Sequence, residues 1–395
     1  MIALVGLPNT KNLGDQVLLQ NTEVLIRSIA PNQKIESVDL EFVNAPMIPR
    51  NIYRCIRKIA SLLAGEGSQA YWKILIWAQR LCLTRYYRRC LKGAEAVIFA
   101  GGAIFIYKYL ELGIRVGQIV SISADLNIPV MFNSVGVEGY DGKSLQARYL
   151  KDAINDDIVK VITTRDDLNL LQRSYVTNKK IQTAWTPDSA WWSDRTFAQQ
   201  IRSRPDNDVI GVGMIRKGIF SDNHFTLTDE ELFKFWKNVC DEIKERNLKF
   251  EFFTNGGLED LEFIREFVKR YPQFAGIQVR VPVQPSDLIN IISRYSRIIA
   301  SRMHTSIIAY SLSIPTLSIL WNNKIEMFYR QIKHGDRVID EQKMRDNNAK
   351  KIVDQLESIS YSDEDSELKE GMRKLTKNYL RNFVDQYVRP GKNRN

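Results

Sequence analysis

The sequence is poor in the side chains that most often build metal and nucleophile sites: of 395 residues, three are histidine and four are cysteine. Cys55, Cys82, Cys90 and Cys240 form no CxxC pair and no metal-ligand spacing, which excludes a disulfide framework and fits reduced, buried thiols in a cytoplasmic protein. There is no HExxH, no Gly-x-Ser-x-Gly elbow and no clustered acid/His triad, so metal-dependent and serine hydrolases are disfavoured and neither metal nor cofactor is expected. Met1–Leu7 lacks the basic and long apolar segments of a signal peptide. Residues 303–323 carry no formal charge over 21 positions, but His304, four serines and Pro315 divide them into a helix and a strand rather than a membrane span.

What is present is an ordinary folded composition, 44% hydrophobic and 26% charged, with length for two to three domains. Lys and Arg outnumber Asp and Glu by 56 to 46, a net charge of +10. The surplus is local. Between Arg50 and Lys92 stand ten basic residues and one acid, Glu66, so a 43-residue window carries +9 and the remainder is nearly neutral. Apolar residues recur there at helical spacing (Ile52, Ile56, Ile59, Leu62, Leu63, then Ile74, Trp77, Leu81), interleaved with Tyr71, Trp72, Tyr86 and Tyr87. Basic amphipathic helices with aromatics predict an anionic membrane surface as partner rather than nucleic acid. An oligomer interface, or a basic surface of no particular role, is the plainer alternative.

The rest of the chain alternates. A buried strand at 1–7 runs into a polar turn and a helix capped by Asp15; strands follow at 34–39, 95–100, 129–135, 158–163 and 181–185, with helices near 109–125, 143–155 and 166–174 between them. Strands alternating with helices predict a parallel sheet covered on both faces. A polar, turn-prone stretch at 190–207 marks a domain boundary. A second series follows, with strands at 208–215, 249–254, 277–281, 297–300 and 315–320 and helices at 228–246, 259–271, 286–294, 304–312 and 322–332. The expected organisation is an α/β protein of two Rossmann-like domains facing a central cleft (GT-B-like): 1–190 with a basic helical insertion at 50–92, 208–335, and a helical tail over 340–395.

Ligands of open parallel sheets bind beyond the carboxyl ends of strands, so polar residues just past strands are the candidates. Asn12, Gly14 and Asp15 after the first strand offer hydrogen bonds and a close backbone approach, or form a plain capped turn. Gly101 and Gly102 allow a strained turn or an anion pocket, or simply close packing. Arg165, in Thr164-Arg165-Asp166, is placed for a carboxylate or phosphate, or for an Arg–Asp ion pair. Arg216 and Lys217, before Gly218, make a plausible phosphate site, or surface charge. The sharpest is Ser301-Arg302-Met303-His304-Thr305, where an imidazole at a helix N-terminus beside an arginine can move a proton near neutral pH; a capping histidine is its alternative.

Taken in order, Asn12-Leu-Gly-Asp15, Phe99-Ala-Gly-Gly102, Thr164-Arg-Asp166, Pro187-Asp188, Gly211-Val-Gly-Met-Ile-Arg216 and Arg302-Met-His304 with Pro315 beyond resemble the polysaccharide pyruvyl transferase family. The resemblance implies transfer of a pyruvyl group from phosphoenolpyruvate to two sugar hydroxyls, forming a cyclic ketal on a capsule or exopolysaccharide precursor, with no cofactor. It implies that Arg216, Arg302, Met303 and His304 hold the donor, with His304 as acid/base and Arg165 and Lys217 as further donor contacts. Asn12, Gly14, Asp15, Gly101, Gly102 and Asp188 are then the expected acceptor side. Ala103-Ile-Phe105, after the glycine pair, departs from the family's third glycine or acid. The expected acceptor is lipid-linked, which places the enzyme peripherally at the inner face of the membrane. A GT-B glycosyltransferase using a nucleotide sugar is the alternative, with Glu326 as its ribose-binding acid; a noncatalytic basic binding protein is a second.

Overall fold

The computed structural model describes residues 1–105, 110–201, 208–346 and 348–388. Residues 202–207 of the predicted boundary stretch 190–207 and the tail beyond 388 lie outside them. The chain divides into two compact units, the first made of residues 1–10, 18–189 and 374–395, the second of 11–17 and 190–373.

The first unit is built on β1 (Ile2–Gly6), β2 (Ile35–Asp39), β3 (Ala96–Phe99), β4 (Gly102–Phe105), β5 (Val130–Val137), β6 (Val159–Thr164) and β7 (Gln182–Trp185). All pairs are parallel, in the order β2-β1-β3-β5-β6-β7, with β4 pairing β5 to one side. Near-continuous apolar runs such as Ile2-Ala-Leu-Val5 and Ala96-Val-Ile-Phe99 are fully buried, as parallel strands covered on both faces must be. Helices α1 (Leu13–Ile29), α2 (Met47–Ala64), α3 (Gln69–Leu91), α4 (Leu110–Asp125) and α5 (Leu145–Ile154) make the crossovers. The basic window is thus a helical hairpin, α2–α3, whose inner side joins a small core of Ala60, Tyr71, Trp72, Leu75 and Ile114.

The second unit carries β8 (Val209–Gly213), β9 (Lys249–Phe253), β10 (Val279–Arg280), β11 (Arg297–Ala300), β12 (Thr316–Ile319) and β13 (Val338–Ile339), all parallel, in the order β10-β9-β8-β11-β12-β13. Its helices include Asp229–Glu245, Leu258–Arg270, Met303–Ser311 and Asn323–Gln331. In each sheet the strand order reverses once, between β1 and β3 and between β8 and β11, and such a reversal opens a crevice at the carboxyl ends.

Several expectations change. The turn-prone boundary stretch begins with two short helical turns over 189–196, in which Trp191 and Trp192 are buried. The helix expected at 166–174 is Leu168–Leu170 continued by a π turn, Leu171–Tyr175. The tail is not a separate body: buried Arg373 donates to Trp191 O at 2.8 Å and ion-pairs with Asp194 at 2.5 Å, tying the C-terminal helix Asp363–Tyr387 into the second unit as far as residue 373. Of the thiols expected to be buried, Cys82 and Cys240 are, whereas Cys55 is exposed on α2. Among the described residues no helix is long and apolar enough to cross a membrane.

Candidate functional site

The chain leaves β8 through buried Met214 and Ile215 into Arg216, and leaves β11 through Ser301 into Arg302, which is the N-cap of the helix Met303–Ser311. Ser301 N donates to Gly213 O at 2.9 Å, so the two exits lie side by side at the crevice of the second sheet. Between them stands Asp260, fully buried in the first turn of Leu258–Arg270. Its Oδ2 accepts from Arg302 Nε at 2.9 Å; its Oδ1 accepts from Arg302 Nη2 at 2.7 Å and from the backbone N–H of Arg216 at 3.0 Å. One carboxylate therefore orients a guanidinium bidentately and fixes where the other arginine leaves the sheet.

Arg216 itself reaches Asp222 and, at 3.3 Å, Glu259. Lys217 turns to Glu266 at 2.7 Å, and that carboxylate's hydrogen bond raises the Lys217 pKa above its ordinary value. His304, in the first turn of its helix, is buried. Thr305 Oγ1 donates to Asn255 Oδ1 at 2.7 Å, joining that turn to the loop after β9.

Residues 11–17 also belong to this unit rather than, as expected, to the N-terminal one. Gly14 explains why: a Cβ there would lie 2.3 Å from His304 Nδ1, so only glycine lets the imidazole rest against the start of α1. The cap is Asn12 rather than Asp15. Its Oδ1 accepts from Gly14 N at 3.2 Å, while its Nδ2 donates to Asp15 Oδ2 at 2.9 Å, a reciprocal pair at the helix start.

In the first unit, Gly101 and Gly102 take φ of +87° and +82°. These left-handed values demand glycine, and the turn leads into β4 rather than directly into a helix. Arg165 and Asp188 pair with each other, both buried. Around them lies a buried polar group: Ser189 Oγ accepts from Thr22 Oγ1 at 3.1 Å and from Asn133 Nδ2 at 3.3 Å, and Ser134 Oγ meets Thr186 Oγ1 at 3.0 Å. Glu326 holds Arg330 at 2.7 Å on a helix surface. Among the described residues no three His, Cys, Asp or Glu side chains converge as a metal site.

Asp260 and Asn255 were not singled out in the sequence, although Thr254-Asn-Gly-Gly257 follows a strand much as Phe99-Ala-Gly-Gly102 does. An acid in a helix's first turn reads as a partner for the helix dipole, which hides its second task.

Two Rossmann-like units with a helical C-terminal region define a protein of the GT-B-like class. Solved structures of that shape match nearly the whole chain: UDP-N-acetylglucosamine 2-epimerase from Rickettsia bellii (11% identity, 98% of each chain covered, TM-score 0.52), the corresponding enzyme from Methanocaldococcus jannaschii (12%, 91% of this chain and 92% of that one, 0.56) and α,α-trehalose 6-phosphate synthase from Burkholderia multivorans (8%, 98% of each, 0.55). At such identities the likeness is one of fold alone. No curated protein gives a significant match. The chain belongs to the polysaccharide pyruvyl transferase family, whose model matches residues 12–323, and it is accordingly a transferase of polysaccharide biosynthesis.

Proposed function

We propose that the protein transfers the pyruvyl group of phosphoenolpyruvate to two hydroxyls of one sugar in a cell-surface polysaccharide precursor, releasing phosphate. The observation that carries this reading is the joining of Arg216 and Arg302 to one buried carboxylate, Asp260, at the crevice of the second sheet, with His304 in the adjoining helical turn. A donor with a carboxylate and a phosphate asks for cations held in fixed geometry at a helix N-terminus. The acids now paired with Arg216 are exposed, Asp222 to 53% and Glu259 to 71%, so exchanging them for a phosphate costs little.

In the proposed reaction His304 delivers a proton to the methylene carbon of phosphoenolpyruvate while the first sugar hydroxyl adds to the central carbon, its own proton passing by way of Asp15 to replace the one His304 has given. The second hydroxyl displaces phosphate, its proton leaves with that group, and the ketal closes. Asn12 and Asp15, beside His304 through Gly14, are proposed to meet the acceptor hydroxyls, Asp15 aiding deprotonation. The acceptor is proposed to be lipid-linked and the enzyme peripheral at the inner face of a membrane. The nucleotide-sugar alternative rests on Glu326, an exposed acid on a helix surface beside Arg330.

Phosphoenolpyruvate should raise the melting temperature and UDP should not, since a ligand of the folded state stabilises it. His304→Gln should keep that stabilisation and lose about 10²- to 10⁴-fold in acceptor-dependent phosphate release. Near-normal release by the variant, or stabilisation by UDP instead, overturns the reading.

A further inference from the structure

The hairpin α2–α3 has more apolar surface than it buries. Along α2, Tyr53 and Ala60 face inward and are buried, with Ile56 and Ala64 packed partly beside them. On another side of the same helix, Ile48, Ile52, Cys55, Ile59 and Leu62 follow one another at spacings of four, three, four and three, which lines them up as a single ridge. All five are exposed. Of the fourteen large apolar side chains exposed among the described residues, eight fall between Met47 and Leu81, at 46 to 86% exposure; α3 adds Trp77 and Leu81 to the six on α2. Isolated surface apolar residues need no explanation, but a continuous ridge marks an interaction surface.

Cations flank it. Lys58 lies three residues after Cys55 and four before Leu62, hence beside the ridge, and Arg54 lies one turn earlier. Arg57 is engaged by Glu111 at 2.9 Å and Arg88 by Asp125, but Arg54, Lys58, Lys73, Arg85, Arg89 and Lys92 are exposed and form no ion pair among the described residues.

The charge decides between occupants. A second copy docking through a two-fold axis would oppose this patch to itself, bringing the same exposed cations against their own copies. Nucleic acid would satisfy the cations but not a ridge of Ile and Leu, since bases stack on aromatic faces. An anionic bilayer surface satisfies both, the aliphatic residues entering the headgroup–acyl boundary while Lys and Arg reach the phosphates. The chain leaves β2 at Asp39 and starts α2 at Met47, so the ridge begins at the carboxyl edge of the first sheet, the edge that also bears Gly101 and Gly102.

We infer that the outer face of α2–α3 is a docking surface for anionic lipid, entered by Ile48, Ile52, Ile59, Leu62 and Leu63 and held by Arg54, Lys58, Lys73 and Arg85. It deepens the functional reading only in bringing the enzyme to a lipid-linked acceptor; the surface itself rests on the hairpin.

The test is cosedimentation of the full chain with phosphatidylcholine vesicles, with and without phosphatidylglycerol. Wild-type protein should pellet with the anionic vesicles and be released by salt. Arg54→Glu with Lys58→Glu should weaken binding by roughly 25-fold or more, each lost cation counting for about fivefold. Leu62→Ser with Leu63→Ser should weaken it by about tenfold. Neither pair should alter phosphate release on a water-soluble acceptor, so loss of lipid binding and failure of the transferase reading are separate results. The inference falls if wild-type protein stays in the supernatant, if neutral vesicles bind it equally, or if an oligonucleotide competes it off the vesicles. It also falls if sedimentation velocity finds a dimer that the Leu62→Ser/Leu63→Ser variant abolishes.

Discussion

Each sheet has an arginine just past a strand end, and the two units treat it differently. In the second unit Arg216 and Arg302 keep 30% and 29% of their side-chain surface exposed, and their shared acid, Asp260, is the fully buried member. In the first unit Arg165, past β6, is 5% exposed and closed onto Asp188, itself 4% exposed. Around that pair stand the hydroxyls and amide of Thr22, Asn133, Ser134, Thr186 and Ser189, and the next acid, Asp166, is buried too and accepts from Val137 N at 2.8 Å. An arginine braced from behind by a buried acid still presents charge to a ligand, whereas an arginine buried with its acid is part of the framework. One architecture thus yields an edge with partly exposed arginines in one unit and an edge whose charged and polar groups are closed on one another in the other.

Three variants sharpen or break this contrast. Asp188→Asn removes one member of a buried pair and should destabilise the protein by about 3 kcal/mol in urea unfolding, with stabilisation by phosphoenolpyruvate unchanged; Arg165→Met with Asp188→Leu should recover most of the loss. A cost near zero would return Arg165 to the ligand-binding candidates. Asp260→Asn should act instead on the donor, lowering kcat/KM for phosphoenolpyruvate by about tenfold, or about 1.4 kcal/mol, by loosening Arg302. A lowered melting temperature with unchanged kinetics would reduce Asp260 to a framework role.

The smallest effect belongs to an exposed acid. Glu231 is held down to about 2 by the backbone N–H of Thr228, by Arg345 and by the Thr228 hydroxyl, in a capping box at the head of Asp229–Glu245. Its folded pKa lies below its unfolded one, so its contribution is present above about pH 4.5 and disappears as pH falls towards 2. Glu231→Gln should cost about 0.5 kcal/mol at pH 7, allowing for solvent screening, and nothing near pH 2 in paired urea titrations. A difference that persists at low pH would contradict the capping account.

The alternation of apolar runs with helical spacing made the order of strands legible, since a buried parallel strand leaves an unbroken apolar signature. The strands missed were β4, four residues long and starting on the second of two left-handed glycines, and β13, two residues long. Arg216, Arg302 and His304 were legible because the carboxyl-edge rule selects them. Asp260 was not, because its partners are 44 and 42 residues away and nothing local requires a buried charge there. The Arg165–Asp188 pair escaped for a related reason: the two follow β6 and β7, adjacent strands whose register sets Thr164 beside Trp185, so the pairing becomes visible only once the strands are aligned.

The division of the chain has a practical consequence. Residues 11–17 belong to the second unit although they lie near the start of the sequence, and the helix Asp363–Tyr387 begins in the second unit and ends in the first. Neither unit is therefore a contiguous gene segment. Recombination between relatives at the single junction near residue 190 would graft a second unit that lacks the Gly14 seat of its histidine. A working chimera has to exchange both pieces of the second unit together, cutting before Lys11, after Val17, after Ser189 and, after Arg373, within one continuous helix.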